Sequence, residues 1–293
     1  MDQKDKELRD RKVLKLFLII SLGLSFLLEA AYIIFHGVTG KANGFFMVAI
    51  MWTPAITAIV LTLKYYKRIS ILGVTIGRAL PILTGLFLPF IYLLLSYLIS
   101  WSIFGDRTIG FEALAASLGW KEGEGDLPVL FILSHVVVGI IPGCAGAFGE
   151  ELGWRGFMYP IMERVEGRKK ALLFSGLIFA MWHIPLILAG LYEVHTVLWY
   201  GVIMFTVYAT VLGMILAWLR SISNSILPPL LIHASGNLFG QLVFQQLSTD
   251  KRVNYLAGET GIITIAFMVL TVFIGLKIWD KHDLKLKNKN LIK

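Results

Sequence analysis

Gly149-Glu150-Glu151-Leu152-Gly153-Trp154-Arg155 sets two adjacent carboxyl groups at the end of a long apolar run. One such charge at the centre of a membrane-spanning helix costs roughly 2.5–3.5 kcal/mol, so consecutive acids need a partner or a task. Neighbours on a helix point ~100° apart and cannot do the same job. Glu151 and Arg155 are four residues apart with the acid first, the favourable order for an ion pair on one helix face. Glu150 is then left pointing elsewhere. A carboxyl in an apolar setting is suited to take a proton from water and return it, which is general base and then general acid work. The plain alternative is a charged helix end at a membrane interface. Gly149 and Gly153 form a small-xxx-small pair, expected to admit another helix close to the Glu150 backbone.

Two later apolar segments each add a histidine. In Phe179-Ala-Met-Trp-His183-Ile-Pro185, His183 lies ~20 Å along a helix counted from Lys170, well inside a membrane core. Phe179 is one turn back, placed to pack under the imidazole, and Pro185 releases the carbonyl near Met181. In His233-Ala-Ser-Gly236-Asn237 the histidine and the asparagine share a helix face. Both can donate hydrogen bonds, which suits an oxyanion pocket. Alternatively, Glu150, His183 and His233 make a His₂Glu set able to hold one zinc ion, with water as fourth ligand. Spacing leaves open whether the cofactor is none or one divalent metal. Gly236 and Gly240 repeat the close-approach spacing. Taken singly, each histidine reads equally well as a hydrogen bonder between helices.

The elements that carry these residues are helices in a bilayer. The 293 residues are 57% hydrophobic and 16% charged, with the apolar residues in long blocks rather than amphipathic stripes. That pattern predicts an all-α, polytopic membrane protein. Eight transmembrane helices are expected at about 13–35, 45–66, 80–104, 127–150, 170–190, 196–219, 226–247 and 260–279, enclosing an intramembrane cavity. Residues 1–293 read as a single transmembrane domain with a charged tail at 1–12, a motif core at 150–237 and a basic tail at 280–293. The first span is expected to be retained rather than cleaved as a signal peptide. The connection 105–127, with Glu112, Glu122, Glu124 and Asp126, is expected to hold a short surface helix, and 159–170 to lie at headgroup level.

Twenty-seven Lys and Arg against nineteen Asp and Glu give a net charge of +8. All but Lys41, Arg107, Lys121, Lys251 and Arg252 fall in one alternate set of connections and tails, so both termini are expected in the cytoplasm and the chain in the cell membrane. That clustering suits anionic lipid and argues against nucleic acid. The single cysteine, Cys144, excludes an intrachain disulfide and a thiolate cluster, and its small neighbours suit helix packing. Bland readings serve the remaining candidates: a structural hydrogen bond for His135, a buried acid with a tyrosine partner or a cavity lining for Glu29, and a solvated loop for His195.

The ordered trio Glu-Glu-x₃-Arg, Phe-x₃-His and His-x₃-Asn resembles the CPBP family, the CAAX proteases and bacteriocin-processing enzymes also called Abi. This family includes the type II CAAX prenyl endopeptidases. The resemblance covers Glu150 to Asn237 and the eight-span architecture. It implies a hydrolase, an intramembrane endopeptidase with its site facing the cytoplasmic half. The residue matching Glu150 would activate water with help from the one matching His183, those matching His233 and Asn237 would stabilise the oxyanion, and Glu151, Arg155 and Phe179 would support them. The family is labelled metalloprotease, and a metal-free glutamate mechanism has also been argued. The implied partner is a peptide or protein at the membrane: a prenylated C-terminus, a bacteriocin leader or a membrane regulator would each fit. Two other functions compete, a non-catalytic scaffold or bacteriocin-immunity protein and a transporter or proton relay. The latter usually shows broken spans in matching halves, a pattern not found here.

Overall fold

The computed structural model describes residues 2–291 apart from 42, 106–113, 117, 118, 120, 122–127, 193 and 194. The acids Glu112, Glu122, Glu124 and Asp126 thus lie outside the described residues. Among the described residues there is no strand. The helices are α1 (Gln3–Thr39), α2 (Gly44–Leu61), α3 (Ala79–Phe104), α4 (Pro128–Glu151), α5 (Tyr159–Glu166), α6 (Arg168–Leu188), α7 (Leu198–Ser223), α8 (Leu227–Asn237) and α9 (Ile262–Leu291). π-helical segments follow α2 (Thr62–Tyr66), α4 (Leu152–Met158) and α8 (Leu238–Phe244).

Among the described residues six helices are long and apolar enough to cross a membrane, and Ile262–Ile278 is a shorter apolar helix. The remaining expected span, 226–247, is α8 interrupted after eleven residues by its π-helical segment. The fold is therefore an all-α, multi-pass membrane bundle. One difference from the sequence reading matters for the site. The fourth span, expected to end at Glu150, runs on through the π-helical segment into α5, making one apolar helix from Leu130 to Glu166. Trp154, Phe157, Met158, Tyr159, Ile161 and Met162 explain this, because all are buried. An apolar face of that kind packs the segment expected at headgroup level against the rest of the bundle.

Charged residues fix one end of the bundle. Asp10 accepts from Arg164 at 2.8 Å and from the Tyr66 hydroxyl at 2.7 Å, and Arg11 bonds Glu166 at 2.9 Å. Residues 3–12, read from the sequence as a charged tail, form the first turns of α1 and are joined to α5. At the other terminus α9 stays helical to Leu291, through most of the basic stretch 280–293. Because α1 starts and α9 finishes at this end, it is called here the terminal end. The opposite, loop end carries the connections 189–197 and 248–261.

Close helix crossings place the motifs. A Cβ on Gly149 would stand 2.7 Å from the Met51 carbonyl oxygen, and one on Gly153 would collide with Pro54, so α2 lies directly on the Glu150 backbone. The later pair differs from its expected role: a Cβ on Gly236 would meet the Tyr92 hydroxyl only at 3.7 Å, an ordinary contact. The tight α3–α8 approach is instead at Gly85, 2.5 Å from the Pro228 carbonyl oxygen by the same measure.

Candidate active site

The end of α4 delivers Glu150 and Glu151, and its π-helical continuation delivers Arg155. Helix α6 delivers Phe179 and His183, and α8 delivers His233 and Asn237. The π-helical segments after α4 and α8 each begin within two residues of a motif residue, and π-bulges are frequent at functional sites.

Glu151 is fully buried and Arg155 is 1% exposed; Arg155 Nη1 donates to Glu151 Oε1 at 2.9 Å. The same oxygen receives His233 Nδ1, also at 2.9 Å. Glu151 thus joins α4 to α8, a role the i,i+4 spacing alone did not reveal. The Arg155 guanidinium sits 4.4 Å over the Phe179 ring, a cation–π contact. Phe179 also meets the His183 imidazole edge-on, with ring centres 4.9 Å apart, and that of His233 at 5.9 Å. One aromatic ring therefore braces the cation and both imidazoles. Room for the guanidinium depends on Gly213 of α7, where a Cβ would lie 3.2 Å from Arg155 Nη2 and 2.6 Å from Gly176 Cα. From the terminal side, Arg220 Nε donates to the Arg155 carbonyl at 3.1 Å.

Glu150 has none of this support. It is 3% exposed, and its Oε2 has no hydrogen-bond partner among the described residues. With His183, His233 and Asn237 it lines a cavity of about 200 Å³ that Phe179, Trp182, Met51 and Phe205 also wall. His183 Nδ1 lies 2.9 Å from the Phe179 carbonyl. A carbonyl only accepts, so Nδ1 carries the proton and Nε2 is the ring nitrogen left to act. The same logic holds for His233, whose Nδ1–H donates to the Glu151 carboxylate and leaves Nε2 available.

The donor types suit zinc, but among the described residues no group of three or more His, Cys, Asp or Glu is arranged to hold a metal ion. Glu150, His183 and His233 share a cavity without forming a ready three-ligand centre.

Three lining residues were missed by the sequence reading. Tyr192 donates to Glu259 Oε2 at 2.8 Å, Gln241 Nε2 donates to Glu259 Oε1 at 2.8 Å, and all three line the cavity on its loop-end side. Gln241 was discoverable, since it stands one turn beyond Asn237. Tyr192 and Glu259 lie in connections without periodicity and gave no signal. Elsewhere, His135 Nδ1 bonds the Phe131 carbonyl at 2.9 Å. Glu29 is buried, neither of its oxygens has a partner among the described residues, and it does not line the cavity.

The cavity reaches from His233 and Leu212 in mid-bundle to Met47, Leu186, Tyr192 and Glu259 at the loop end. A second cavity of about 370 Å³ shares Met47, Tyr192, Gln241 and Glu259 with it and continues outward past Gln245, Gln246 and Asn254. The mouth and the chain termini are therefore at opposite ends of the bundle.

Fold and site define a class: a multi-pass, all-helical membrane protein that keeps an acid, two imidazoles and a carboxamide around an intramembrane cavity. Residues 129–239 match the family described as Type II CAAX prenyl endopeptidase Rce1-like, a stretch that takes in every motif residue from Glu150 to Asn237. The chain is also similar to CAAX prenyl protease 2 of Methanococcus maripaludis, 28% identical over 204 residues that cover 66% of each chain. Both matches support a CPBP/Rce1-like protein, by similarity over part of the chain.

Proposed function

We propose that this protein is an intramembrane endopeptidase of the cell membrane, cleaving a membrane-associated peptide with a water molecule that Glu150 activates. The observation that carries the reading is that Glu150, His183, His233 and Asn237, from three separate helices, line one cavity. Its relatives' names point the same way.

The side chains have complementary tasks. The unpartnered Glu150 carboxylate takes a proton from water while His183 Nε2 accepts the water's second hydrogen and orients it. The hydroxide adds to the scissile carbonyl carbon. Charge arising on the carbonyl oxygen is met by the Asn237 amide and by Nε2–H of a protonated His233, whose own charge is balanced by Glu151. Glu150 then returns its proton to the leaving nitrogen as the C–N bond breaks. Arg155 and Phe179 position the imidazoles without touching the reacting atoms. Every step uses the chain's own residues.

Purified protein in lipid nanodiscs, incubated with fluorogenic peptides carrying or lacking a prenyl group, should cleave a subset. Glu150→Gln should abolish that cleavage while leaving thermal unfolding close to wild type, and chelator treatment should leave the rate unchanged. Loss of activity on chelation, restored by zinc, would replace the metal-free scheme with a metal-dependent one. Equal cleavage by Glu150→Gln would remove the acid from the chemistry altogether.

A further inference from the structure

We propose that the seam between α1 and α2 binds one sodium ion, with Glu29 as its countercharge. Glu29 does not line the cavity around Glu150, so this is a second site, and its test does not depend on proteolysis.

Helical spacing builds a polar row into an otherwise apolar crossing. On α1, Ser21, Ser25 and Glu29 recur one turn apart and so share a face. On α2, Thr53 and Thr57 do the same. All five are buried. Ser25 and Thr53 hydrogen-bond each other across the seam. The Tyr32 and Phe46 rings stack with centres 5.4 Å apart, which fixes the antiparallel register of the two helices. Ser21 is therefore set at the level of Thr57, and Glu29 one turn beyond the Ser25–Thr53 contact on the loop side. A carboxyl inside a membrane bundle is expensive and ordinarily faces a partner. Neither oxygen of Glu29 has one among the described residues.

The neighbouring hydrogen bonds decide what kind of partner fits. Pro54 has no N–H, so the Ile50 carbonyl loses its helical donor. The Thr53 hydroxyl donates to that carbonyl at 2.8 Å. Its single proton is spent there, so Ser25 is the donor to Thr53. Both hydroxyls thus direct their protons away from Glu29. Side chains on a helix lean toward its N-terminus, which carries the Glu29 carboxyl back over Ser25. Two carboxylate oxygens and hydroxyl lone pairs meet at this point, all of them acceptors. Ser21 and Thr57, whose hydroxyls are also unpartnered among the described residues, extend the row by one turn. Oxygens of this kind suit a hard cation, and a single positive charge balances the single carboxylate. Carbonyls released where a membrane helix is broken hold sodium in transporters. Direct contact of Ser25 with Thr53 keeps the helices close, which favours sodium over the larger potassium ion. The same stretch of α2 packs on the Glu150 backbone at Gly149 and Gly153, so the ion would tie one wall of the active-site cavity to α1.

The test uses the purified full chain in lipid nanodiscs, with sodium chloride exchanged for choline chloride at constant ionic strength. The wild type should bind one radioactive sodium ion per chain, and its unfolding midpoint should rise by a few degrees as sodium saturates. Glu29→Gln should bind none and lose the rise, while Ser25→Ala should need several-fold more sodium for the same rise. Glu150→Gln should keep the whole response. No binding by the wild type would overturn the proposal and leave Glu29 as a neutral acid. Undiminished binding by Glu29→Gln, or binding lost in Glu150→Gln, would overturn the placement of the site. An equal response to potassium would overturn the choice of sodium. Should Glu29→Gln fail to fold, unchanged sodium affinity in both Ser25→Ala and Thr53→Val would overturn the seam as the site.

Discussion

The half of the bundle toward the termini and the half toward the loops are built from different chemistry. In the first, charges are locked: Asp10 with Arg164 and Tyr66, Arg220 on two carbonyls, and Arg155 with Glu151. In the second, the lining is amide, hydroxyl and one carboxyl held by neutral donors. Buried ion pairs are costly to break once formed, whereas amide and hydroxyl partners can be exchanged for a peptide's at modest net cost. The boundary between the halves runs between two consecutive residues. Glu151 belongs to the locked half, with two partners on one oxygen. Glu150 belongs to the open half.

The sharpest break of this contrast is at that boundary. Glu150→Gln should lower cleavage by about 10²–10⁴-fold, the usual worth of a general base, and shift the unfolding midpoint little. Glu151→Gln should show the reverse emphasis. It leaves the buried Arg155 short of its countercharge, a loss of about 3–5 kcal/mol for breaking one side of a buried pair. Thermal unfolding in detergent reads that loss, and activity should fall with it because His233 loses its tether. The double variant Glu151→Leu/Arg155→Met should be less destabilised than the two single losses combined. Should the two acids prove interchangeable in both assays, the division into locked and open halves is wrong.

A smaller effect separates two pairs of glycines that look alike in sequence. Gly153→Ala pushes a methyl group into Pro54 of α2 and should cost about 1–3 kcal/mol, as overpacking does. Gly236→Ala meets the Tyr92 hydroxyl at ordinary distance and should be close to neutral. Midpoints of thermal unfolding measured side by side decide it. Equal losses would mean that α3 and α8 approach more closely than described.

These glycines also show what the sequence made legible. The membrane bundle and the trio of motifs were readable because an apolar block near 20 residues long has few alternatives in a bilayer. Intramembrane acids and imidazoles, moreover, are too expensive to be incidental. The ion pair of Glu151 with Arg155 followed from helical spacing. Its link to His233 did not, because a contact 82 residues apart depends on how α4 and α8 cross. Small-xxx-small spacing announced a close approach twice and was met by one at Gly149 and Gly153 only. The continuation of the fourth span into α5 was hidden by Arg155 and Arg164, which read as a cytoplasmic connection but are held within the bundle or at its edge. Tyr192 and Glu259 left no trace, since loops carry no period from which a facing direction can be read.

Glu259 gives the smallest effect, and one that reports on the mouth itself. It lies in the connection before α9, partly buried, where loss of water raises its carboxyl above the usual range, while the hydrogen bonds from Tyr192 and Gln241 and the facing His195 and His233 oppose that rise. A folded state that holds a proton longer than the unfolded chain loses stability as pH rises. The loss begins near the unfolded carboxyl's range and ends once pH passes the raised folded value. Wild-type unfolding midpoints should therefore decline across that window relative to Glu259→Gln, which keeps an acceptor for Tyr192 but cannot titrate. The difference should be small because the two hydrogen bonds survive ionisation. If the wild type instead gained stability over the variant as pH rose, the carboxylate would be held as a charge by a cation at the mouth. The open half would then be no more neutral than the locked one.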